Sequence, residues 1–234
     1  MTQKIPPTLY VIATPIGNLS DSSFRMLEVL KNIEHIFCED TRHSQKLLSH
    51  FDLKGKTLYR CDQIQEKQIS SKAIDLLSQG QDIAYLSDAG TPSVSDPGTY
   101  LVNACHLQGF QVLGVPGPSA VSLALSIAGF WAVPFTFHGF LDRKKTKSVK
   151  QIIQILQQDH TQVLFESPYR IVSTVEMIAK HAPSRELFIA RELTKKFEQS
   201  YRGNAQNVLD MVSSKAPKGE YTLVISEIQE RKNL

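Results

Sequence analysis

Short apolar runs alternate along this chain with segments of helical periodicity, and this alternation restricts its fold more than any other feature. Residues 9–13, 33–38, 83–86 and 112–115 are apolar runs, and a stretch with apolar side chains at helical spacing follows each of them. Strands that alternate with helices in this way are typical of a mostly parallel sheet with crossover helices. The sequence therefore predicts an α/β fold.

The alternation continues in the second half of the chain, after a basic segment. Residues 139–146 (GFLDRKKT) change from apolar to basic without any periodicity, which predicts a linker. The elements predicted beyond it are helices at 147–158, 169–181 and 204–213 and strands at 161–166, 187–192, 199–202 and 221–228. We therefore predict two α/β domains, at residues 1–138 and 147–234.

Three loops rich in glycine and proline each come directly after a predicted strand. They are residues 14–19 (TPIGNL), 87–98 (SDAGTPSVSDPG) and 116–120 (PGPSA). Ligands of open α/β sheets bind outside the carboxyl ends of the strands, and glycine lets the backbone approach a ligand closely. The loops therefore predict one shared ligand site. Within the second loop, Asp96 and Pro97 predict the N-cap and the first residue of a helix.

Two common nucleotide-binding motifs are missing from these loops. The chain contains neither G-x-G-x-x-G nor G-x-x-x-x-G-K-[ST]. A conventional dinucleotide or ATP site is therefore disfavoured.

The loops belong to a longer ordered set of short blocks. The others are EDTR at 39–42, GFL at 139–141, ESPYR at 166–170, ARELTK at 190–195 and KGE at 218–220. Together the blocks resemble the tetrapyrrole-methylase superfamily, in the branch that methylates small-subunit ribosomal RNA. The resemblance implies two α/β domains with S-adenosylmethionine in a cleft between them, a homodimer, and methyl transfer to the ribose 2′-oxygen of a decoding-centre cytidine in 16S rRNA.

The resemblance also implies which residues bind the cofactor. They are Pro15, Gly17, Asn18, Asp88, Ala89, Gly90, Thr91, Asp96, Gly98, Pro116, Gly117, Ser119 and Ala120. The chain departs from the family elsewhere: residues 62–66 read DQIQE where His-Asn-Glu is common, and Asp142, Phe165 and Tyr169 replace a usual Pro, Tyr and His. The cofactor blocks are almost intact, so the departures fall on the substrate side.

A ribose hydroxyl becomes a good nucleophile when a nearby group takes or shares its proton. Glu39 directly follows a predicted strand and Glu166 ends another, so both are candidate catalytic residues, together with Lys195. Each has a structural alternative. Glu39 and its neighbour Asp40 can cap the following helix, and Glu166 can form an ion pair with Arg170.

The basic residues predict a polyanionic substrate. The net charge is only +3, but Lys and Arg outnumber Asp and Glu after residue 134 and not before it. The candidate substrate-binding residues are Arg42, Arg143, Lys144, Arg170 and Arg191. Residues 143–147 either contact successive phosphates of a nucleic acid or form a solvated linker.

Several other classes of protein are disfavoured. The three cysteines are widely spaced and the seven histidines form no spaced set, which predicts reduced thiols and no metal site. No signal peptide is visible, so we expect a cytoplasmic protein. Residues 97–141 contain no charged side chain, but glycines and prolines interrupt them, so we expect burial by the core and a partner subunit, not a membrane helix.

Two alternative functions stay open at this point. A precorrin-type tetrapyrrole C-methyltransferase shares the cofactor loops but needs no extended RNA surface. A non-catalytic RNA-binding protein with a vestigial cofactor fold is the second.

Overall fold

The computed structural model describes residues 6–214 and 218–228 of the chain. The chain divides into two compact units, Met1–Ser119 and Ala120–Leu234. Each unit contains one five-stranded sheet together with its helices. The α/β fold is therefore confirmed. The division comes before the predicted boundary at residue 138.

The first unit is a parallel sheet with helices on both faces. Its strands are β1 (Thr8–Ile12), β2 (His35–Cys38), β3 (Thr57–Arg60), β4 (Ile83–Leu86) and β5 (Gln111–Val115). Its helices are α1 (Phe24–Asn32), α2 (Thr41–His50), α3 (Glu66–Ser78) and α4 (Thr99–Leu107), with a single 3-10 turn at Leu19–Asp21. The strand order is β3-β2-β4-β1-β5, and every pair is parallel.

Two buried clusters cover this sheet. One contains side chains from α1 and α2, such as Leu30 and Leu48, and the other contains side chains from α3 and α4, such as Leu77 and Leu101. Because both faces are buried at the centre of the sheet, the central strands are almost continuously apolar. Strand β4 (Ile83–Leu86) is buried at all of its residues.

The second unit contains a mixed sheet. Its strands are β6 (Phe135–Phe140), β7 (Thr161–Glu166), β8 (Glu186–Arg191), β9 (Gln199–Asn204) and β10 (Tyr221–Ile225). Its helices are α5 (Ala120–Ala128), α6 (Lys145–Leu156), α7 (Ile171–His181) and α8 (Ala205–Ser213). In the order β6-β7-β10-β8-β9, only β6 and β7 are parallel and the other pairs are antiparallel. The prediction of a mostly parallel sheet is wrong for this unit.

The predicted linker at 139–146 is also wrong. Gly139 and Phe140 belong to β6, and α6 begins at Lys145. Strand β6 pairs with β7 on one side only, and the register shifts between Phe137 and Phe140. Residues 135–138 (FTFH) alternate between apolar and polar side chains, but Gly139 and the bulge break the alternation, so the end of the strand is not visible in the sequence.

The charge-free residues 97–141 form α4, β5, α5 and β6. We expected them to be buried, but several large apolar side chains are exposed: Tyr100, Leu107, Leu113, Ile127, Trp131, Val133, Phe135 and Phe140. The core of the chain therefore covers this segment only in part. None of the helices in the described ranges is long and apolar enough to cross a membrane.

Candidate active site at the carboxyl edge of the parallel sheet

The three Gly/Pro loops meet at the carboxyl ends of β1, β4 and β5. Thr14 and Gly90 exchange backbone hydrogen bonds, with N···O distances of 2.9 and 3.0 Å. The Thr91 hydroxyl donates to the Pro118 carbonyl at 3.2 Å. Because the second loop is bonded to both of the others, the three loops form one continuous backbone surface.

Glycine makes the close approach of these loops possible. A Cβ at Gly90, whose φ is +81°, would lie 3.2 Å from the Cγ2 of Ile16. A Cβ at Gly117 would lie 3.0 Å from the Cβ of Ala13 and 3.1 Å from its carbonyl oxygen. Real Cβ contacts are seldom this short, so both positions favour glycine.

Three carboxyl groups give this edge a negative character. Glu39 follows β2 directly, and its pKa is raised by burial first and then by the negative charges of Asp88 and Asp96. Burial also raises the pKa of Asp96, and Asp88 raises it further. Half-buried carboxylates that repel one another favour a ligand that carries a positive charge.

One of these groups, Asp88, lines a cavity of about 200 Å³. Its lining includes Thr14 and Pro15 of the first loop, Ser87 and Asp88 of the second, and Ser44 of α2. Two of the three loops and the helix that follows Glu39 therefore border the same space.

Asp40 has the helix-capping role that the sequence predicts as its structural alternative, and Arg42 is its partner. The Asp40 carboxylate accepts hydrogen bonds from the Arg42 backbone N–H at 2.8 Å and from its guanidinium at 2.6 Å. These contacts hold the pKa of Asp40 well below its usual range. Asp40 is thus the N-cap of α2, and most of the Arg42 side chain is exposed.

Glu66 is a site residue that no sequence pattern predicted. Its Oε1 atom accepts three backbone hydrogen bonds, from Gly98 at 3.0 Å, Tyr100 at 2.6 Å and Leu101 at 3.0 Å. Glu66 is buried at the start of α3, and it satisfies the N–H groups at the start of α4. The predicted N-cap at Asp96 is therefore wrong: α4 begins at Thr99, and its N-cap, Gly98, has no capping side chain of its own.

The signal for Glu66 was present but incomplete. Glu66 is the last residue of segment 62–66, which departs from the family pattern. Its partners are more than 30 residues further along the chain, so no local pattern links them.

Glu166 of the second unit is fully engaged with its neighbours. Its carboxylate accepts hydrogen bonds from the Ser167 N–H and the Thr174 hydroxyl, both at 2.8 Å, and lies 3.4 Å from the Nε of Arg170. Only 2% of the residue is exposed. Arg170 also donates to the Leu141 carbonyl at 3.1 Å. Glu166 therefore forms the ion pair with Arg170 that the sequence predicts as the alternative to a catalytic role.

Arg191 and Lys195 connect two of the short sequence blocks. Arg191 donates to the Lys218 carbonyl at 2.7 Å, and the Lys195 ammonium lies 2.9 Å from both Glu192 and Glu220. Burial lowers the pKa of Lys195, but its hydrogen bonds to Glu220 and Glu192 outweigh this effect and raise it. Lys195 is therefore a charged donor and not a base.

The turn that carries these residues is strained. Glu192 and Thr194 have φ angles of +54° and +66°, which are uncommon for residues with side chains. A Cβ at Gly219 would lie 2.4 Å from the Cγ of Glu192. Strain of this kind concentrates at functional sites.

The remaining candidates are exposed, and the cysteines are not reactive. Arg143 and Lys144 precede α6 with exposed side chains. Cys38, Cys61 and Cys105 are buried free thiols, and burial raises the pKa of Cys61 to about 12. Among the described residues, no group of three or more His, Cys, Asp or Glu side chains could hold a metal ion.

Close-packed glycine loops and half-buried carboxylates lie at the carboxyl edge of the parallel sheet. This arrangement is typical of an α/β enzyme that binds a small ligand, and the carboxylates favour a ligand with positive charge. Residues 8–209 match the family model of Tetrapyrrole (Corrin/Porphyrin) Methylases. The chain belongs to this family. It is a methyltransferase, and its methyl donor is S-adenosylmethionine.

The alignments with individual relatives cover nearly the whole chain. The ribosomal RNA small subunit methyltransferase I of Hydrogenobaculum sp. (strain Y04AAS1) is 42% identical over 221 residues, which cover 94% of this chain and 95% of that protein. The protein of the same name from Mesomycoplasma conjunctivae is 37% identical over 235 residues, with 100% and 95% covered. The solved structure of the methyltransferase CobJ has the same fold, with a TM-score of 0.70, 16% identity and 97% of both chains covered.

Proposed function

We propose that this chain methylates the ribose 2′-hydroxyl of a decoding-centre cytidine in 16S rRNA. The observation that carries the proposal is the identity of 37–42% to proteins named ribosomal RNA small subunit methyltransferase I. The identity covers at least 94% of the chain, so it includes residues outside the cofactor loops. By contrast, the likeness to CobJ, at 16% identity, concerns the fold alone.

The carboxyl edge of the parallel sheet suits the methyl donor. We assign cofactor binding to the three loops: Pro15, Gly17 and Asn18; Asp88 to Thr91 with Asp96 and Gly98; and Pro116, Gly117, Ser119 and Ala120. When bound, S-adenosylmethionine supplies a methyl group that its sulfonium already activates. The close packing at Gly90 and Gly117 lets backbone groups contact the ligand, and the carboxylates of Asp88 and Asp96 complement its positive charge.

Glu39 is our candidate for the general base. Its raised pKa brings the carboxylate nearer to neutral pH, where a base accepts a proton most effectively and is still ionised. We assign it the proton of the ribose hydroxyl. Lys195 stays protonated, so its role is to stabilise negative charge. Glu166 forms an ion pair with Arg170, and we assign it the role of positioning that side chain.

Basic side chains supply the contacts to RNA, three of them exposed and two half-buried. Arg42, Arg143, Lys144, Arg170 and Arg191 are the residues to which we assign phosphate binding. Phosphate contacts of this kind hold the RNA in register and supply most of the affinity, while the reacting nucleotide is selected elsewhere.

Methyl transfer to ribosomal RNA is the direct test. Purified protein is incubated with labelled S-adenosylmethionine and with small ribosomal subunits, or naked 16S rRNA, from cells that lack the native enzyme. We expect label on the ribose of one decoding-centre cytidine, and none with Glu39→Gln. Glu28→Gln on the exposed face of α1 is the control and should be fully active.

Other outcomes would redirect the proposal. Cofactor binding without label on any RNA would contradict it, and tetrapyrroles would be tested next. Binding of both cofactor and RNA without transfer to any acceptor would favour a non-catalytic RNA-binding protein.

We also propose that the chain works as a homodimer in the cytoplasm, where the ribosomal subunit is. Within the uncharged residues 97–141, Trp131 and Val133 are exposed at 79% and 89% and lie two residues apart, and exposed apolar patches mark protein contacts. A second copy of the chain is the partner that we assign to them.

A further inference from the structure

A basic groove lies between α6 and α7 of the second unit. Its volume is about 490 Å³. Arg143, which precedes α6, lines the groove together with Lys145 and Ser148 of that helix. A second stripe begins at Arg170, the N-cap of α7, and ends at Lys180 and His181. Lys145, Lys180 and His181 have no part in the site proposed above.

The positive charge of the groove is poorly balanced. In the described ranges, Arg143, Lys145 and Lys180 form no ion pair with a carboxylate, while Arg170 pairs with the buried Glu166. Glu176 is the single acidic residue among those that line the groove. Uncompensated cations brought together in a concave surface create a field that attracts a polyanion.

The start of α6 strengthens the argument. Lys144 is its N-cap and makes no capping hydrogen bond through its side chain, and the first turn contains Lys145 and Lys147 but no acidic residue. Cations are unfavourable at a helix N-terminus, where the helix dipole is positive. Asp142 offsets part of this effect, because its carboxylate accepts from the Lys144 backbone N–H at 2.8 Å and lies 3.6 Å from the Lys147 ammonium. Within the described ranges Lys145 has no such carboxylate partner, so an anionic ligand in the groove would complement its charge.

The length of the groove suits an extended polyanion. Arg170 and Lys180 are ten residues apart on α7 (Ile171–His181) and its N-cap. At about 1.5 Å per residue, this separation is roughly 15 Å along the helix axis. A single phosphate would occupy only one end of such a surface, whereas a phosphodiester chain can contact both ends.

We propose that this groove holds the phosphodiester backbone of the RNA substrate, through Lys145, Arg170, Lys180 and His181. The proposal rests on the RNA methyltransferase function above and extends its substrate surface beyond the residues assigned there. A concave surface between two helices favours a nucleic-acid strand over a flat anionic membrane.

The test uses charge changes of opposite sign within the full-length protein. Lys145→Gln and Lys180→Gln each remove one cation from the groove, and Glu176→Gln removes its acidic residue. Lys150→Gln is the matched control, because Lys150 is an exposed lysine of the same helix as Lys145 and does not line the groove. Affinity for a 16S rRNA fragment is measured over a range of salt concentrations, and affinity for S-adenosylmethionine is measured in parallel.

We expect Lys145→Gln and Lys180→Gln each to weaken RNA binding about three- to five-fold at low salt. Each should also reduce the salt slope by about 0.7, the value for one phosphate contact to a single strand. Glu176→Gln should tighten binding, Lys150→Gln should change it less than about two-fold, and affinity for the methyl donor should be the same in all variants.

Three results would overturn the proposal, and they can be told apart. Equal weakening by Lys150→Gln and Lys180→Gln would indicate a diffuse charge effect. If the wild type methylates RNA but none of the groove variants alters binding, the groove is wrong and the function stands. A wild type that binds anionic vesicles but no RNA would contradict both the groove and the proposed function.

Discussion

Two neighbouring carboxyl groups, Glu39 and Asp40, have opposite pKa shifts. The pKa of Asp40 is lowered by its hydrogen bonds to Arg42, which stabilise the charged form. The pKa of Glu39 is raised by burial and by Asp88 and Asp96, which destabilise the charged form. The side chain that caps the helix is therefore the more acidic one, and the side chain that faces the loops is the better base.

The raised pKa of Glu39 leads to a prediction on stability. A carboxyl whose pKa is higher in the folded state stabilises the fold while it is protonated, and this contribution is lost as the pH rises through the folded pKa. Glu39→Gln should therefore be more stable than the wild type at neutral pH and show little difference below the ordinary carboxyl range. Urea unfolding at several pH values measures this, with Glu28→Gln as control; a loss of stability at neutral pH would contradict it.

Glu66 leads to a second prediction, because its carboxylate serves three backbone donors. Glu66→Gln keeps the shape but loses the charge, and we expect the free energy of unfolding to fall by about 1–3 kcal/mol. Gly98 is one of the partners, so the KM for S-adenosylmethionine should rise more than kcat falls. An unchanged KM with reduced stability would limit Glu66 to a structural role.

The loop that ends at Gly98 depends on tight packing between elements. Gly98 has φ +124°, and a Cβ there would lie 2.4 Å from the Cε1 of Tyr85 and 2.6 Å from the Ser93 hydroxyl. Gly55, with φ +72°, has no atom within 4 Å of the same position. Alanine at position 55 therefore tests the positive φ alone, whereas alanine at position 98 tests the positive φ together with a steric clash.

We predict different costs for alanine at these two positions. Gly55→Ala should reduce the free energy of unfolding by about 1–2 kcal/mol, through the positive φ alone. Gly98→Ala should add an overpacking cost of about 1–3 kcal/mol and should weaken binding of S-adenosylmethionine. Denaturant unfolding and calorimetric titration measure the two effects. Equal costs at both sites would show that Tyr85 and Ser93 move aside easily.

At the scale of the whole molecule, the uncharged segment predicts self-association. Trp131→Lys combined with Val133→Lys should convert a dimer into a monomer, because two charges would be buried at the contact. Light scattering coupled to gel filtration measures the mass, and Lys31→Gln on α1 serves as an exposed control. A wild type that is monomeric at micromolar concentration would remove the basis of this prediction.

The strand–helix alternation and the loop positions were predictable because they depend on neighbours in the sequence. Strands such as Ile83–Leu86 and Thr161–Glu166 occur where their apolar runs indicate, and the three Gly/Pro loops follow strands as expected. Since parallel strands place their carboxyl ends at one edge, the meeting of the loops follows from the same local pattern. The short blocks were enough to indicate the family.

Features that depend on distant partners were not predictable from local pattern. The edge strand Phe135–Phe140 exists because β7 provides hydrogen bonds, and the antiparallel order of the second sheet depends on which strands are neighbours in space. The capping of α4 by Glu66 and the pKa shift of Glu39 likewise come from groups far along the chain. Local sequence sets periodicity and turn chemistry, whereas burial, charge proximity and long-range hydrogen bonds arise when the chain packs.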